Sequence, residues 1–153
     1  MGINLSLVKI VPAEESHREF SYQLVETAYK GYIEEIWGWD EKTAEEFHTH
    51  NWLNKRPNII MYDSQPIGTI YLHEAPDFME LEQFILLPEY QNQGIGSYIL
   101  RNIMDRADQS GQIIKLKYVH VNPVASLYHR MGFNVTKADD EFIYAERKPG
   151  SGE

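Results

Sequence analysis

Gly94 and Gly96 stand between a run with strand spacing and a run with helix spacing, and their surroundings could bind an anion through the backbone. Before them, Leu81, Gln83 and Ile85 alternate with Glu82, Phe84 and Leu86, the period of two that a pleated segment requires. Pro88 stops strand pairing because it brings no N–H to a ladder. After them, Ile95, Ile99, Ile103 and Ala107 recur at helical spacing. A helix that starts here has bare first amides at the positive end of its dipole, and the glycines let a ligand reach the backbone. A nucleotide-binding P-loop would need Gly-Lys-Ser/Thr, whereas Ser97-Tyr98 follows Gly96. A dinucleotide fingerprint would need a third glycine where Ile99 stands. On these residues alone, glycines that serve only the geometry of the turn stay open as the alternative.

A second stretch has chemistry to offer. Asn122 suits an N-cap, Pro123 the first helical position, and Gly132 the left-handed residue past a short helix that carries Tyr128. Together Gln91-x-x-Gly94-x-Gly96 and Asn122-Pro123-…-Leu127-Tyr128-…-Gly132-Phe133 resemble the two coenzyme-A motifs of the GNAT superfamily of N-acetyltransferases. The resemblance runs from about Leu5 to Lys148. It implies an acetyl-CoA-dependent enzyme that transfers acetyl to a primary amine, on a small cationic molecule or a protein, by direct attack in a ternary complex. It further implies that backbone groups of Phe84 and Leu86 hold the acetyl carbonyl and pantetheine. Gln91, Gln93, Gly94, Ile95, Gly96 and Ser97 would hold the pyrophosphate, Asn122 and Tyr128 would face the coenzyme, and no metal would be needed.

Two proton tasks follow for such a reaction. Tyr128 matches the family's general acid for the leaving thiolate; packing of the short helix is its alternative role. Glu80 and Glu82 share a strand face, being two residues apart, and burial beside a like charge would make one of them basic enough to serve the amine. Glu80 aligns with a base glutamate of some family members; His120 is a third candidate, and His73 is an ordinary strand histidine. Glu34, Glu35, Trp37 and Trp39 fall in the connection that walls the acceptor pocket in this family, where rings and carboxylates suit a cationic amine. One tryptophan is expected to pack the loop and the other to meet the acceptor. A GNAT-shaped module that senses acyl-CoA or binds a partner without catalysis is the rival, and the retained Asn122 and Tyr128 speak against it.

These residues must be positioned by a single domain of residues 1–148, with 149–153 as a loose tail. The 153 residues are 42% hydrophobic and include ten Tyr, six Phe and three Trp, enough for an aromatic-rich core. With no cysteine, disulfides, thiolate metal sites and a cysteine nucleophile are excluded, which fits a cytoplasmic protein. The net charge of −9 disfavours nucleic acid and anionic membranes, and no apolar run reaches membrane-span length. The opening Met1-Gly2-Ile3-Asn4-Leu5-Ser6 matches a myristoylation pattern, but Leu5, Leu7 and Ile10 read as part of a first strand. A homodimer is left open.

The predicted order is a strand over Leu5–Val11, a helix capped by Ser16 and Glu19 and reaching about Tyr32, and a helix over Glu41–Leu53 capped by Asp40 with Ala44 and Phe47 inward. Strands over Asn58–Tyr62 and Ile67–His73 form a hairpin ahead of the central strand. The glycine-led helix ends at Gly111; then come a strand over Ile113–Val121, the Asn122–Met131 helix, and two strands around Asp139–Glu141. The expected class is α+β: a mixed, mostly antiparallel sheet of seven strands with four helices, splayed at the acetyl-CoA cleft.

Overall fold

A computed structural model describes residues 2–120, 122 and 124–150. One seven-stranded sheet runs in the order β1-β2-β3-β4-β5-β7-β6. The strands are β1 Val8–Pro12, β2 Asn58–Tyr62, β3 Gln65–Glu74, β4 Phe78–Leu86, β5 Ile113–Val119, β6 Asn134–Ala138 and β7 Phe142–Arg147. Four α-helices join them: α1 Arg18–Ile36, α2 Glu41–Asn54, α3 Ile95–Ser110 and α4 Ala125–Arg130. Every neighbouring pair is antiparallel except β4 and β5. The class, element order and near-antiparallel sheet are those the sequence predicts.

Helix α3 buries Ile95, Ile99, Leu100, Ile103, Met104 and Ala107 in the main core, against Leu81, Phe84, Leu86, Leu116 and Tyr128. Its apolar stripe is therefore the predicted one widened by Leu100 and Met104. On the other face, Leu24 and Tyr29 of α1 pack with Ile85, flanked by Phe20, Ala28 and Val119. The largest buried volume thus gathers around β4, the strand with cover on both faces.

Several local expectations are corrected. Leu5–Leu7 form a 3-10 turn, so the first strand begins only at Val8. The lead into α1 is fixed by Glu14 and His17, whose Nδ1 accepts the Glu14 N–H at 3.0 Å, rather than by Ser16 and Glu19. Helix α1 continues to Ile36, past Tyr32, because nothing breaks it before Gly38, which has φ +79°. Asp40 precedes α2, but its carboxylate takes the Thr43 hydroxyl at 2.6 Å instead of a backbone N–H. Phe47 is exposed and Ala44 half-buried; His48 and Trp52, one and five positions on, face inward instead. The predicted strand end Val121, the helix-opening Pro123 and the tail residues Ser151–Glu153 lie outside the described residues.

The alternation in β4 is also corrected, with consequences for the site. Gln83 has φ +54°, and the β3–β4 register shifts between Thr69 and Tyr71. This is a bulge: one extra residue moves every later side chain to the other face. Leu81 therefore shares a face with Phe84 and Leu86, and Ile85 turns towards α1. The Thr69 hydroxyl donates to the Gln83 carbonyl at 2.8 Å, and Gln83 Nε2 donates to the Lys55 carbonyl at 2.8 Å, so both ends of the bulged residue are held.

Candidate active site

Strands β4 and β5 pair only from Phe78 opposite Ile113 to Leu81 opposite Leu116. Both chains continue, to Leu86 and Val119, without a ladder between them. The parting begins where the bulge bends β4, since a bulge sharpens local twist. It leaves an open strand edge on Glu82–Leu86 inside the sheet, a place where an extended ligand with amides can be received as an added strand.

At the mouth of this opening lies the glycine turn. Gly94 has φ +89°, and a Cβ built on it would meet nothing within 4 Å, so the space above it is clear. Gly96 is different: a Cβ there would stand 3.1 Å from Leu127 Cδ2, so the glycine lets α4 close on the first turn of α3. No acidic residue lies in the first turn of α3 and no side chain caps it. The amides of Ile95, Gly96 and Ser97 have no acceptor within the helix, and the dipole favours an anion beside them. Ile95 is fully buried and anchors the turn. The glutamines brace the loop rather than reach out of it. Gln91 Nε2 donates to the Leu86 carbonyl at 2.9 Å, and Gln93 Nε2 donates to the Glu89 carbonyl.

Tyr128 is only 3% exposed, with its ring 5.3 Å from that of Tyr118, on the stretch of β5 that β4 leaves unpaired, and 5.6 Å from Phe133. Burial, and then the neighbouring phenols of Tyr29 and Tyr118, push its pKa well above the ordinary tyrosine value. The hydroxyl is thus a protonated donor at any physiological pH. Helix α4 starts from Val124, whose N–H donates to Asn122 Oδ1 at 3.0 Å, and Gly132 with φ +89° follows its end. Asn122 therefore fixes the start of the helix from two residues before its N-cap, not as the cap itself. Its Nδ2 also makes a long 3.5 Å contact with the Phe84 carbonyl. Sequence reasoning missed Tyr29, a buried phenol that α1 brings to the same place. The signal was available: Tyr29 lies one helical turn beyond Val25, which packs on the same cluster.

Glu80 and Glu82 do share a face, but they are not left to repel each other. Lys55 Nζ lies 2.8 Å from Glu82 Oε2 and 3.7 Å from Glu80 Oε1, and Lys117 Nζ is 3.7 Å from Glu82 Oε1. The Glu82 side chain is 8% exposed and the Glu80 side chain 34%, so water reaches the second carboxylate more freely. The Lys55 pKa is raised, first by its hydrogen bond to Glu82. Lys55 escapes a motif search because it ends α2 far from β4 in sequence. His120 Nε2 donates to the Asp139 carbonyl at 2.7 Å, and both His120 and His73 are exposed. Glu34 and Glu35 lie on the last turns of α1 and are exposed, not in a loop as expected. Trp39 donates its N–H to Glu41 Oε2 at 2.8 Å and has Lys30 Nζ over its ring, whereas Trp37 is 47% exposed.

A parted sheet, an uncapped glycine-led helix and a buried tyrosine beside the stretch of β5 that β4 leaves unpaired are together the features of an acyl-CoA-dependent transferase. Residues 20–133 match the family model described as the acetyltransferase (GNAT) family, and the chain belongs to that family. Among solved structures, the PaiA N-acetyltransferase from Thermoplasma acidophilum in complex with coenzyme A is similar at 21% identity and a TM-score of 0.69. The similarity covers 92% of this chain and 98% of that one. The ribosomal-protein-S18-alanine N-acetyltransferase from Escherichia coli is similar at 20% identity and a TM-score of 0.62, over 95% of this chain and 97% of that one. An acetyl transferase from Salmonella typhimurium that modifies the N-terminal serine of ribosomal protein L7/L12 is similar at 17% identity and a TM-score of 0.64, over 95% and 98% of the two chains. No curated protein matches the sequence. Among the described residues no helix is long and apolar enough to cross a membrane.

Proposed function

We propose that the chain moves the acetyl group of acetyl-CoA to a primary amine by direct attack within a ternary complex. The observation that carries this reading is the parting of β4 from β5 beyond Leu81 and Leu116, with the buried Tyr128 ring 5.3 Å from Tyr118 on the stretch of β5 that β4 leaves unpaired. The clear space over Gly94 and the absence of acid from the first turn of α3 suit a diphosphate. The open edge of β4 after the bulge suits the amides of a pantetheine arm.

The thioester supplies an activated carbonyl, and the remaining work falls to the chain. The amides of Ile95–Ser97 hold the diphosphate, while Phe84 and Leu86 align the arm and acetyl carbonyl from the strand edge. As the amine nitrogen bonds to the carbonyl carbon and the C–S bond breaks, Tyr128 gives its proton to the departing sulfur. The proton lost by the amine passes through water to Glu80, the better hydrated of the two carboxylates. Glu82 keeps Lys55 in place. Trp37 is the tryptophan available to an acceptor, with Glu34 on the preceding turn; Trp39 packs.

The test is a panel of amines and peptides with acetyl-CoA, followed by free-thiol release, for the wild type and Tyr128→Phe. Turnover is expected to fall about 10²-fold in the variant with CoA affinity unchanged, the scale of general acid catalysis. Equal turnover, with chemistry rate-limiting, would reduce Tyr128 to a packing residue.

A further inference from the structure

The open edge of β4 has a back, and β3 shapes it. Between the rungs Tyr71–Glu82 and Thr69–Ile85, β3 contributes one residue, Ile70, while β4 contributes two, Gln83 and Phe84. Neither of the two has a register partner, so the ladder alone does not fix how far β4 has advanced when pairing resumes. Three contacts from β3 do. The hydroxyl of Thr69, a residue 2% exposed, donates to the Gln83 carbonyl at 2.8 Å. The Ile67 carbonyl accepts the Leu87 N–H at 2.8 Å. Between them, buried Gly68 lies opposite Leu86, and a Cβ built on it would overlap the Ile85 carbonyl oxygen and stand 3.2 Å from Leu86 Cα. Gly68 therefore lets the two backbones close to a separation that a side chain would forbid.

Along an antiparallel strand, residues bond alternately to the neighbour on either side. The seating of β4 on β3 thus sets where the remaining N–H and C=O groups stand along the edge that β5 leaves open. Resting on the reading of that edge as the seat of a CoA arm, we propose that Gly68 and Thr69 are positioning residues for the coenzyme, acting through the backbone of β4. Thr69 keeps the Gln83 carbonyl satisfied and the bulge in one register. Gly68 keeps Ile85 and Leu86 seated against β3. A CoA molecule must meet the strand edge and the first turn of α3 together, so a shift of the edge is felt by the arm and not by the diphosphate.

The experiment separates those two parts of the ligand. Thr69→Val keeps the branched shape and removes the hydroxyl; Thr69→Ser keeps the hydroxyl and is the rescue. Thermal unfolding checks that each variant folds. Calorimetric titration uses CoA, pantetheine, which is the arm without the diphosphate, and ADP, which has a diphosphate without the arm. We expect Thr69→Val to bind CoA and pantetheine about 5- to 10-fold more weakly, the worth of about one hydrogen bond, and ADP within about twofold of wild type. Thr69→Ser is expected to stay within about twofold for all three. Gly68→Ala adds one methyl group against backbone and is expected to weaken CoA about 10-fold or more, with ADP again unmoved. Wild-type CoA affinity in a folded Thr69→Val would overturn the proposal. So would an equal loss for CoA and ADP, which is what a general loosening of the fold gives. If the wild type bound no CoA, the functional reading would fall. Amide hydrogen exchange over Gln83–Leu86, expected to quicken about 10-fold in Thr69→Val, would then judge the link from β3, and unchanged exchange would overturn it.

Discussion

Replacing Gly94 by glutamate separates three effects that can each be sized. The residue has φ +89°, so any side chain there sits in left-handed backbone at a cost of about 1–2 kcal/mol. A carboxylate at the N-terminus of α3 offsets about 0.3–1 kcal/mol of that through the helix dipole. The added Cβ meets no atom within 4 Å, so there is no steric contribution and the folded state loses only about 1 kcal/mol net. The ligand is treated more harshly. A carboxylate about 5 Å from one phosphate charge at an effective dielectric of about 20 is opposed by roughly 3 kcal/mol, and exposure with ordinary salt brings this to about 1.5–2 kcal/mol. That corresponds to about a 10- to 30-fold weaker Kd. Gly94→Ala carries the strain without the charge and is expected to bind within about threefold of wild type. Calorimetric titration with CoA at low and high salt measures both variants, with pantetheine, which lacks the diphosphate, as the control. Salt should shrink the glutamate effect, and pantetheine should not register it. If Gly94→Glu bound CoA as Gly94→Ala does, the diphosphate would not lie at α3, and the anion-site reasoning would be refuted.

Glu80→Gln is expected to lower kcat and flatten the acidic limb of the pH–rate profile, whereas Glu82→Gln should mainly cost thermal stability by releasing Lys55; full rates with the same limb in both would pass the proton to His120 or bulk water. The His48 pKa is lowered, first by burial and then by the Arg18 charge, so the unfolded chain takes the proton first. Stability should therefore decline as pH falls below about 6.5, and His48→Gln, which can still bond Ser21, should lose that slope in melting temperatures taken from pH 7.5 to 5. The Asp108 pKa is lowered, chiefly by its hydrogen bonds to Arg147, so its contribution is present above about pH 3.9 and is lost as pH falls through the lowered value. Asp108→Asn should destabilise the fold by about 1–3 kcal/mol in urea unfolding, less than a fully buried pair because the carboxylate is 35% exposed.

What could be read in the sequence was local. Gly94, Gly96, the Ile95-to-Ala107 stripe and Gly132 each declare a backbone conformation or a face within a few residues of themselves, and α3 and α4 stand where those signals put them. Asp139-Asp140-Glu141 behaves likewise: the Asp139 carboxylate accepts the N–H groups of Glu141 and Phe142 at 2.9 and 2.7 Å and turns β6 into β7. What could not be read depended on partners distant in the chain. Lys55 pairs with Glu82 across 27 positions, and only the fold, which sets the residue after α2 against β4, brings the two together. Phe47 and His48 are both plausible inward residues by period, and the Ser21 hydroxyl, 3.0 Å from His48 Nε2, belongs to another helix.

The bulge at Gln83 shows why a strand can look regular in sequence and still not be. Leu81 to Leu86 alternate so evenly that a flat strand would place Leu81 and Ile85 together. Such a strand would turn Phe84 and Leu86 away from α3, leaving a void beneath Ile95 and two large apolar side chains on the face where Lys55 and Glu82 meet. One extra residue removes the conflict, because Glu80 and Glu82 keep the charged face before it while Phe84 and Leu86 regain the core after it. Its cost is a non-glycine residue at positive φ, and hydrogen bonds at both ends of Gln83, from the Thr69 hydroxyl and to the Lys55 carbonyl, hold it there. The same bend carries β4 away from β5 and opens the strand edge proposed above for a CoA arm. Packing thus selects the bulge, and the cleft is its consequence.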